Sequence, residues 1–184
     1  MDTPLVSVCL ITYNHINYIR EAIDGVLMQK VDFSWELIIA DDFSIDGTRE
    51  IVLEYKRKYP DIIKLILQER NVGALQNWLD LINSPKSKYI AYFEGDDYWI
   101  DSNKLQKQVD FMEINPDYGM VHTDCNILTN KKLVTNSKRK KNIPSGNVRN
   151  KIIIKNFITT GTTLINKDAF DYGVTLYDIK KYQL

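Results

Sequence analysis

Leu5-Val6-Ser7-Val8-Cys9-Leu10-Ile11-Thr12 is an unbroken apolar and β-branched run that ends in the polar Tyr13-Asn14. A strand with one wet face would alternate, so this run reads as a strand covered on both faces, the signature of a parallel sheet. Asn14 is placed to cap a following helix, in which Ile16, Ile19, Ile23, Val26 and Leu27 recur at helical spacing to about Lys30. The same alternation repeats down the chain. Trp35 to Ala40 reads as a strand running straight into Asp41-Asp42. Asp46-Gly47 opens a helix marked by Ile51, Val52, Tyr55 and Tyr59 and ended by Pro60. Ile62 to Leu67 follows as strand, Ala74 to Ile82 as helix and Lys88 to Phe93 as strand. Leu105, Val109 and Met112 mark a helix that stops at Pro116, and Tyr118 to His122 is a short strand. Strands alternating with helices imply an α/β fold with a doubly wound, mostly parallel sheet.

Beyond Asp124 the rhythm breaks. Leu128 to Asn150 is polar, basic and rich in turn formers, which reads as a hairpin or a mobile loop. Ile152 to Phe157, Thr162 to Ile165 and the segment from Lys167 are expected to form an incomplete final layer.

With 184 residues the chain is sized for one domain. Its 44% hydrophobic and 26% charged content excludes disordered and fibrous classes. Twenty-four basic residues against 24 acidic ones remove the footprint of a nucleic-acid binder, so no nucleic-acid partner is expected. Cys9 and Cys125 can make no disulfide framework and have no neighbours at zinc spacing, which suits a reducing, cytoplasmic setting. No apolar run approaches bilayer-spanning length. The basic run Lys138-Arg139-Lys140-Lys141, backed by Lys131 and Lys132, is the candidate surface for a peripheral membrane contact.

In an open parallel sheet, ligands bind beyond the carboxyl ends of the strands. Three such ends are polar here: Thr12-Tyr13-Asn14, Asp41-Asp42 and Glu94-Gly95-Asp96-Asp97. A dinucleotide site needs glycines in the first strand-to-helix turn, and Thr12 to Tyr18 has none; no glycine opens a P-loop either. A carboxylate-rich rim approaches phosphates only through a hard cation such as Mg²⁺ or Mn²⁺, which one or two carboxylates plus substrate phosphates typically hold. Acidic residues at strand ends also serve as turn formers and caps. Two acidic pairs on alternate strands favour the metal and nucleotide reading, because adjacent carboxylates repel unless a cation or proton intervenes.

The run from Pro4 through Thr12-Tyr13-Asn14, then Asp41-Asp42-Phe43-Ser44-Ile45-Asp46-Gly47-Thr48, then Glu94-Gly95-Asp96-Asp97-Tyr98-Trp99, resembles family 2 glycosyltransferases of the GT-A fold. The resemblance covers Pro4 to Asp124. It implies a Rossmann-like nucleotide-sugar-binding fold, with residues 1–124 as the nucleotide-sugar half of a single domain and 125–184 as a partial acceptor-side half. It further implies an inverting enzyme that uses Mn²⁺ or Mg²⁺ to move a sugar from a nucleotide diphosphate donor, UDP-linked, to a hydroxyl of a glycan or lipid-linked acceptor in cell-surface polysaccharide synthesis. Carried over by position, Thr12 belongs to the donor site, Tyr13 flanks the base, Asp42 hydrogen-bonds it, Asp96 holds the ribose or sugar, and Asp97 binds the metal. Arg70, in Arg70-Asn71-Val72-Gly73, is a candidate phosphate or base contact. A carboxylate that can only accept suits the imide N–H of uracil or thymine, a donor cytosine lacks.

Aromatic Tyr92, Tyr98 and Trp99 flank the acidic turn, and His122 and Asp124 end the next strand, where an acceptor is expected. Glu94 stands where the family commonly has aspartate, which leaves its part in metal binding open. The family places its catalytic base after the segment resembling Thr160 to Asp168. The late aspartates here are Asp168, Asp171 and Asp178, none in an acidic motif. Asp178 is the candidate base within the chain; the alternatives are a base beyond Leu184 or a catalytically incomplete nucleotide-sugar-binding module.

Overall fold

The structure is a computed structural model, and it describes residues 3–129, 132–135, 146–147 and 158–176. In chain order the strands are β1 Val6–Thr12, β2 Trp35–Asp41, β3 Ile63–Leu67, β4 Tyr89–Glu94, β5 Met120–His122, β6 Asn126–Thr129, β7 Lys132–Thr135 and β8 Thr163–Asn166. The α-helices are α1 Ile19–Leu27, α2 Thr48–Lys58, α3 Ala74–Ile82, α4 Lys104–Ile114 and α5 Lys167–Leu176. A six-stranded sheet runs β3-β2-β1-β4-β8-β5. β3, β2, β1 and β4 are parallel, and β8 lies antiparallel between β4 and β5, so the sheet is mostly parallel as expected.

Strand alternation explains the continuous apolar runs. Val6, Val8 and Leu10, with Leu37 and Ile39 of β2 and Ala91 and Phe93 of β4, point to one face, where Ile23 and Val26 of α1, Val52 of α2 and Leu105 and Met112 of α4 cover them. Cys9, Ile38, Ala40 and Ile90 point to the other face, onto Leu81 and Ile82 of α3, with Trp78 and Phe170 at the margin. Each of these strands therefore has no solvent side on which to place polar residues. Their polar groups gather at the ends.

Asn14 does not cap a helix. It sits at φ 55°, and α1 begins only at Ile19. Its side-chain oxygen instead accepts the Ile45 N–H at 3.0 Å, while its own N–H donates to Ser44 Oγ at 2.9 Å. An Asn tolerates this left-handed backbone because its short polar side chain bonds locally. The post-β1 and post-β2 loops are thereby latched together. β6 and β7 form an antiparallel hairpin that starts at Asn126, slightly before the stretch read as hairpin or loop. Thr163–Asn166 is a strand and the segment from Lys167 a helix. Ile152 to Phe157 lies outside the described residues, as do Lys138 to Lys141 and Asp178. Among the described residues, no helix is long and apolar enough to cross a membrane.

Candidate nucleotide-sugar site

β2 and β4 flank β1, so the three polar strand ends share one rim. Backbone bonds tie that rim together: Asp42 N–H donates to Thr12 O at 3.1 Å and Gly95 N–H to Ile11 O at 2.9 Å. Above them opens a cleft of about 670 Å³, lined by Thr12, Tyr13, His15, Asp42, Asn71, Gly73, Asn77, Trp78, Tyr92 and Glu94 among others. A volume of this size suits a small-molecule ligand.

Thr12 is buried, and its Oγ1 lies 3.2 Å from His15 Nδ1. Tyr13 is 43% exposed and lines the cleft. Asp42 is only 3% exposed; Val72 N–H donates to its Oδ1 at 2.7 Å and Gly73 N–H to its Oδ2 at 3.0 Å. Two amide donors occupy about half of a carboxylate's acceptor capacity, so Asp42 keeps lone pairs for a further donor in the cleft. Its neighbour Asp41 is fully buried and turned away, paired with Arg49 Nε at 2.5 Å. Arg49 also donates to the carbonyls of Asp41 and Gln68 and lies 5.3 Å over the Phe43 ring. That stacking helps hold Phe43 at φ 62°, a conformation a bulky residue adopts only when its surroundings impose it.

The β4 turn is different in kind. Glu94, Asp96 and Asp97 are exposed, and among the described residues no cation pairs with any of them. Loss of hydration beside the rim, then repulsion from Asp96 and Glu94, holds the Asp97 carboxyl above the ordinary aspartate range. Burial, then Glu94, likewise pushes the Tyr92 phenol up. Gly95 is required where it stands, since a Cβ there would come within 2.8 Å of both Thr12 Oγ1 and His15 Nδ1. Across from Asp97 lies a 3₁₀ turn, Thr160–Thr162, in which a Cβ on Gly161 would sit 2.8 Å from Asp97 Oδ2. The donor set fits a hard divalent cation: uncompensated carboxylate oxygens crowded into like-charge repulsion. Among the described residues, no three His, Cys, Asp or Glu converge on one point. A cation at Asp97 would therefore complete its shell from water and ligand phosphates, the usual habit of Mg²⁺.

The remaining candidates divide. Arg70 is exposed and outside the cleft lining, although the adjoining Asn71 and Gly73 are in it. Tyr98 is exposed, and Trp99 is a buried core residue packed against Phe93, with ring centroids 5.1 Å apart and the planes tilted by 33°. His122 and Asp124 end β5 on the rim side, where Thr123 N–H donates to Thr162 O at 3.2 Å. Asp168 belongs to the opposite end of the sheet, in a groove with Leu5, Ser34 and Lys88 at the strand starts. Asp171 is bound by Lys167 at 2.6 Å. His15 and Arg49 were not apparent as site residues in the sequence. His15 stands directly after Thr12-Tyr13-Asn14, and that position was its only signal; Arg49 gave none, because its partner Asp41 is eight residues away across a turn.

The chain matches the family profile "Glycosyl transferase family 2" over residues 7–173. It belongs to that family. An uncharacterized Mycobacterium tuberculosis protein is 43% identical over 112 residues, 61% of this chain and 32% of its own length. The Escherichia coli UDP-Glc:alpha-D-GlcNAc-diphosphoundecaprenol beta-1,3-glucosyltransferase WfgD is 34% identical over 134 residues, 73% of this chain and 51% of its own. The 1–349 fragment of S. aureus TarS, solved in complex with UDP, superposes with a TM-score of 0.70 at 23% identity, over 92% of this chain and 49% of that fragment. That likeness establishes the GT-A, Rossmann-like fold. This family 2 chain spans about half the length or less of the relatives it matches.

Proposed function

We propose that this family 2 chain is the donor-binding part of a metal-dependent, inverting glycosyltransferase that moves a sugar from a UDP-linked donor to an acceptor hydroxyl during cell-surface polysaccharide or glycan synthesis. The observation that carries the proposal is the uncompensated turn Glu94-Gly95-Asp96-Asp97 beside a cleft whose other wall presents Tyr13 and Asp42. Tyr13 offers an aromatic face to the nucleobase. Asp42, already oriented by two amides, accepts the imide N–H of uracil; cytosine has no donor there. Thr12 closes the floor of the cleft, Asp96 takes ribose or sugar hydroxyls, and Arg70 supplies positive charge at the cleft margin. Asp97 would hold Mn²⁺ or Mg²⁺ together with the diphosphate, and the cation, when bound, neutralises the departing diphosphate.

Inversion also requires a base for the acceptor hydroxyl. The place of Asp168 at the opposite end of the sheet and the pairing of Asp171 with Lys167 argue against either as that base. Asp178, outside the described residues, stays the candidate for that role within the chain. WfgD, by its name, acts on a diphosphoundecaprenol-linked sugar, which supports a lipid-linked acceptor and a peripheral membrane site of action. A second reading, a nucleotide-sugar-binding module without turnover, is favoured by the same placement of the late aspartates.

Titration of UDP and UDP-sugars with and without Mn²⁺ tests the donor site, with clear tightening by Mn²⁺ and little binding of CDP expected. Indifference to Mn²⁺ overturns the metal role. Release of UDP from a UDP-sugar, slow or fast, separates the enzyme from the module.

A further inference from the structure

Burying a lysine is expensive, and α4 begins by doing so. Lys104 is 6% exposed, and among the described residues no carboxylate pairs with it. Its Nζ instead donates to Gln108 Oε1 at 2.7 Å and lies 4.1 Å from the centre of the Trp99 ring. A methionine would fill the same volume without the desolvation cost. The polar contacts are thus the distinguishing feature of lysine at this position.

Those contacts lead to one place. Trp99 Nε1–H donates to Gly161 O at 2.9 Å, and Gln108 Nε2–H donates to Thr162 O at 2.9 Å. The two buried side chains therefore grip consecutive carbonyls of the Thr160–Thr162 turn, the turn whose Gly161 abuts Asp97. Lys104 touches both of the side chains that make these grips. Its Nζ–H takes the Gln108 carbonyl oxygen and leaves the amide NH₂ facing Thr162 O; without that donor the amide is free to turn over. Its Nζ also packs 4.1 Å from the centre of the indole whose N–H holds Gly161. The backbone of Trp99 cannot retreat, because a Cβ on Gly25 of α1 would already lie 2.8 Å from Trp99 N.

We propose that Lys104 is a positioning residue that, through Trp99 and Gln108, clamps the Thr160–Thr162 turn onto Asp97 and so presets that carboxylate for a divalent cation. The cation half of this statement rests on the proposed role of Asp97; the clamp itself does not. Partners standing behind a metal ligand typically change metal affinity by about 10- to 100-fold when removed.

The test uses the full chain and Lys104→Met. In the ligand-free protein, amide hydrogen exchange at Thr162 and Thr163 is expected to accelerate at least about tenfold while β1 and β2 keep their protection; unchanged exchange there overturns the clamp. With UDP present, the Mn²⁺ Kd is expected to rise about tenfold and metal-free UDP affinity to stay within about twofold. A folded Lys104→Met protein with unaltered Mn²⁺ Kd overturns the presetting of Asp97. Adding Lys104→Met to Gln108→Leu is expected to cost little more than Gln108→Leu alone, and full additivity overturns transmission through Gln108. If Lys104→Met does not fold, Gln108→Leu alone is read by the same two measurements. Asp97→Asn runs in parallel: if it leaves Mn²⁺ dependence intact, the cation reading of Asp97 has failed, and the ligand-free exchange still decides the clamp.

Discussion

Asp41-Asp42 and Asp96-Asp97 close neighbouring corners of one rim, but only the first pair is engaged by the protein. Asp41 is fully buried on Arg49, and Asp42 holds the amides of Val72 and Gly73, so this pair ties β2 to the loop after β3. Asp96 and Asp97 are exposed and carry no cation among the described residues; Asp97 is wedged between its acidic neighbours and Gly161. A buried carboxylate must be compensated from within the fold, whereas an exposed one is solvated by water and stays open to a ligand. Two motifs of identical composition thus divide into a pair engaged by the fold and a pair that, among the described residues, the fold leaves uncompensated.

The largest effect should come from breaking the scaffold pair. Arg49→Met strands the buried Asp41, whose Oδ1 already lacks a partner, and is expected to cost about 3 kcal/mol of stability, measured by urea denaturation. Asp97→Ala should leave folding intact and remove the Mn²⁺ dependence of UDP binding in calorimetric titration, a loss of about 100-fold at saturating metal. If both variants simply lose stability, the contrast between the two pairs is wrong. Asp42→Asn is expected to weaken UDP about tenfold, narrow its advantage over CDP and keep the Mn²⁺ response. Gly161→Ala should push on Asp97 Oδ2 and raise the Mn²⁺ Kd a few-fold, at nearly unchanged stability, by the close approach of 2.8 Å.

The smallest effect concerns pH. Burial depresses the Lys104 ammonium to about 7, well below the ordinary lysine value. Between that value and the unfolded lysine range near pH 10, the folded chain binds fewer protons than the unfolded one, so Lys104 makes stability rise with pH across this window. Lys104→Met should flatten the rise when urea midpoints at pH 6.5 and 9 are compared with those of the parent chain. An identical slope in both proteins would show that Lys104 stays charged.

The strand and helix order was legible because each element carries its own periodic signal: Leu5 to Thr12 and Trp35 to Ala40 are strand runs whatever surrounds them. Asn14 was misread as a cap because its true partner, Ser44, is thirty residues away, and local sequence holds no trace of that latch. Asp42 and Asp97 were recognisable as candidate site residues from their motifs. Their different states were not, since Val72, Gly73 and Gly161 come from other parts of the chain. Lys104 gave no signal at all: a lysine at a helix start reads as solvated until the packing of Trp99 and Gln108 around it is seen.

Sequence alone determined the mostly parallel α/β sheet, the polar strand ends and the absence of a glycine phosphate loop, because hydrophobic period and turn chemistry act over a few residues. Only the tertiary structure decided which carboxylates the fold engages and which it leaves exposed without a cationic partner among the described residues, and that Asp168 lies at the opposite end of the sheet from the rim. Those outcomes depend on burial and on partners distant in sequence, and a carboxylate's charge is compensated by whatever the folded chain brings beside it.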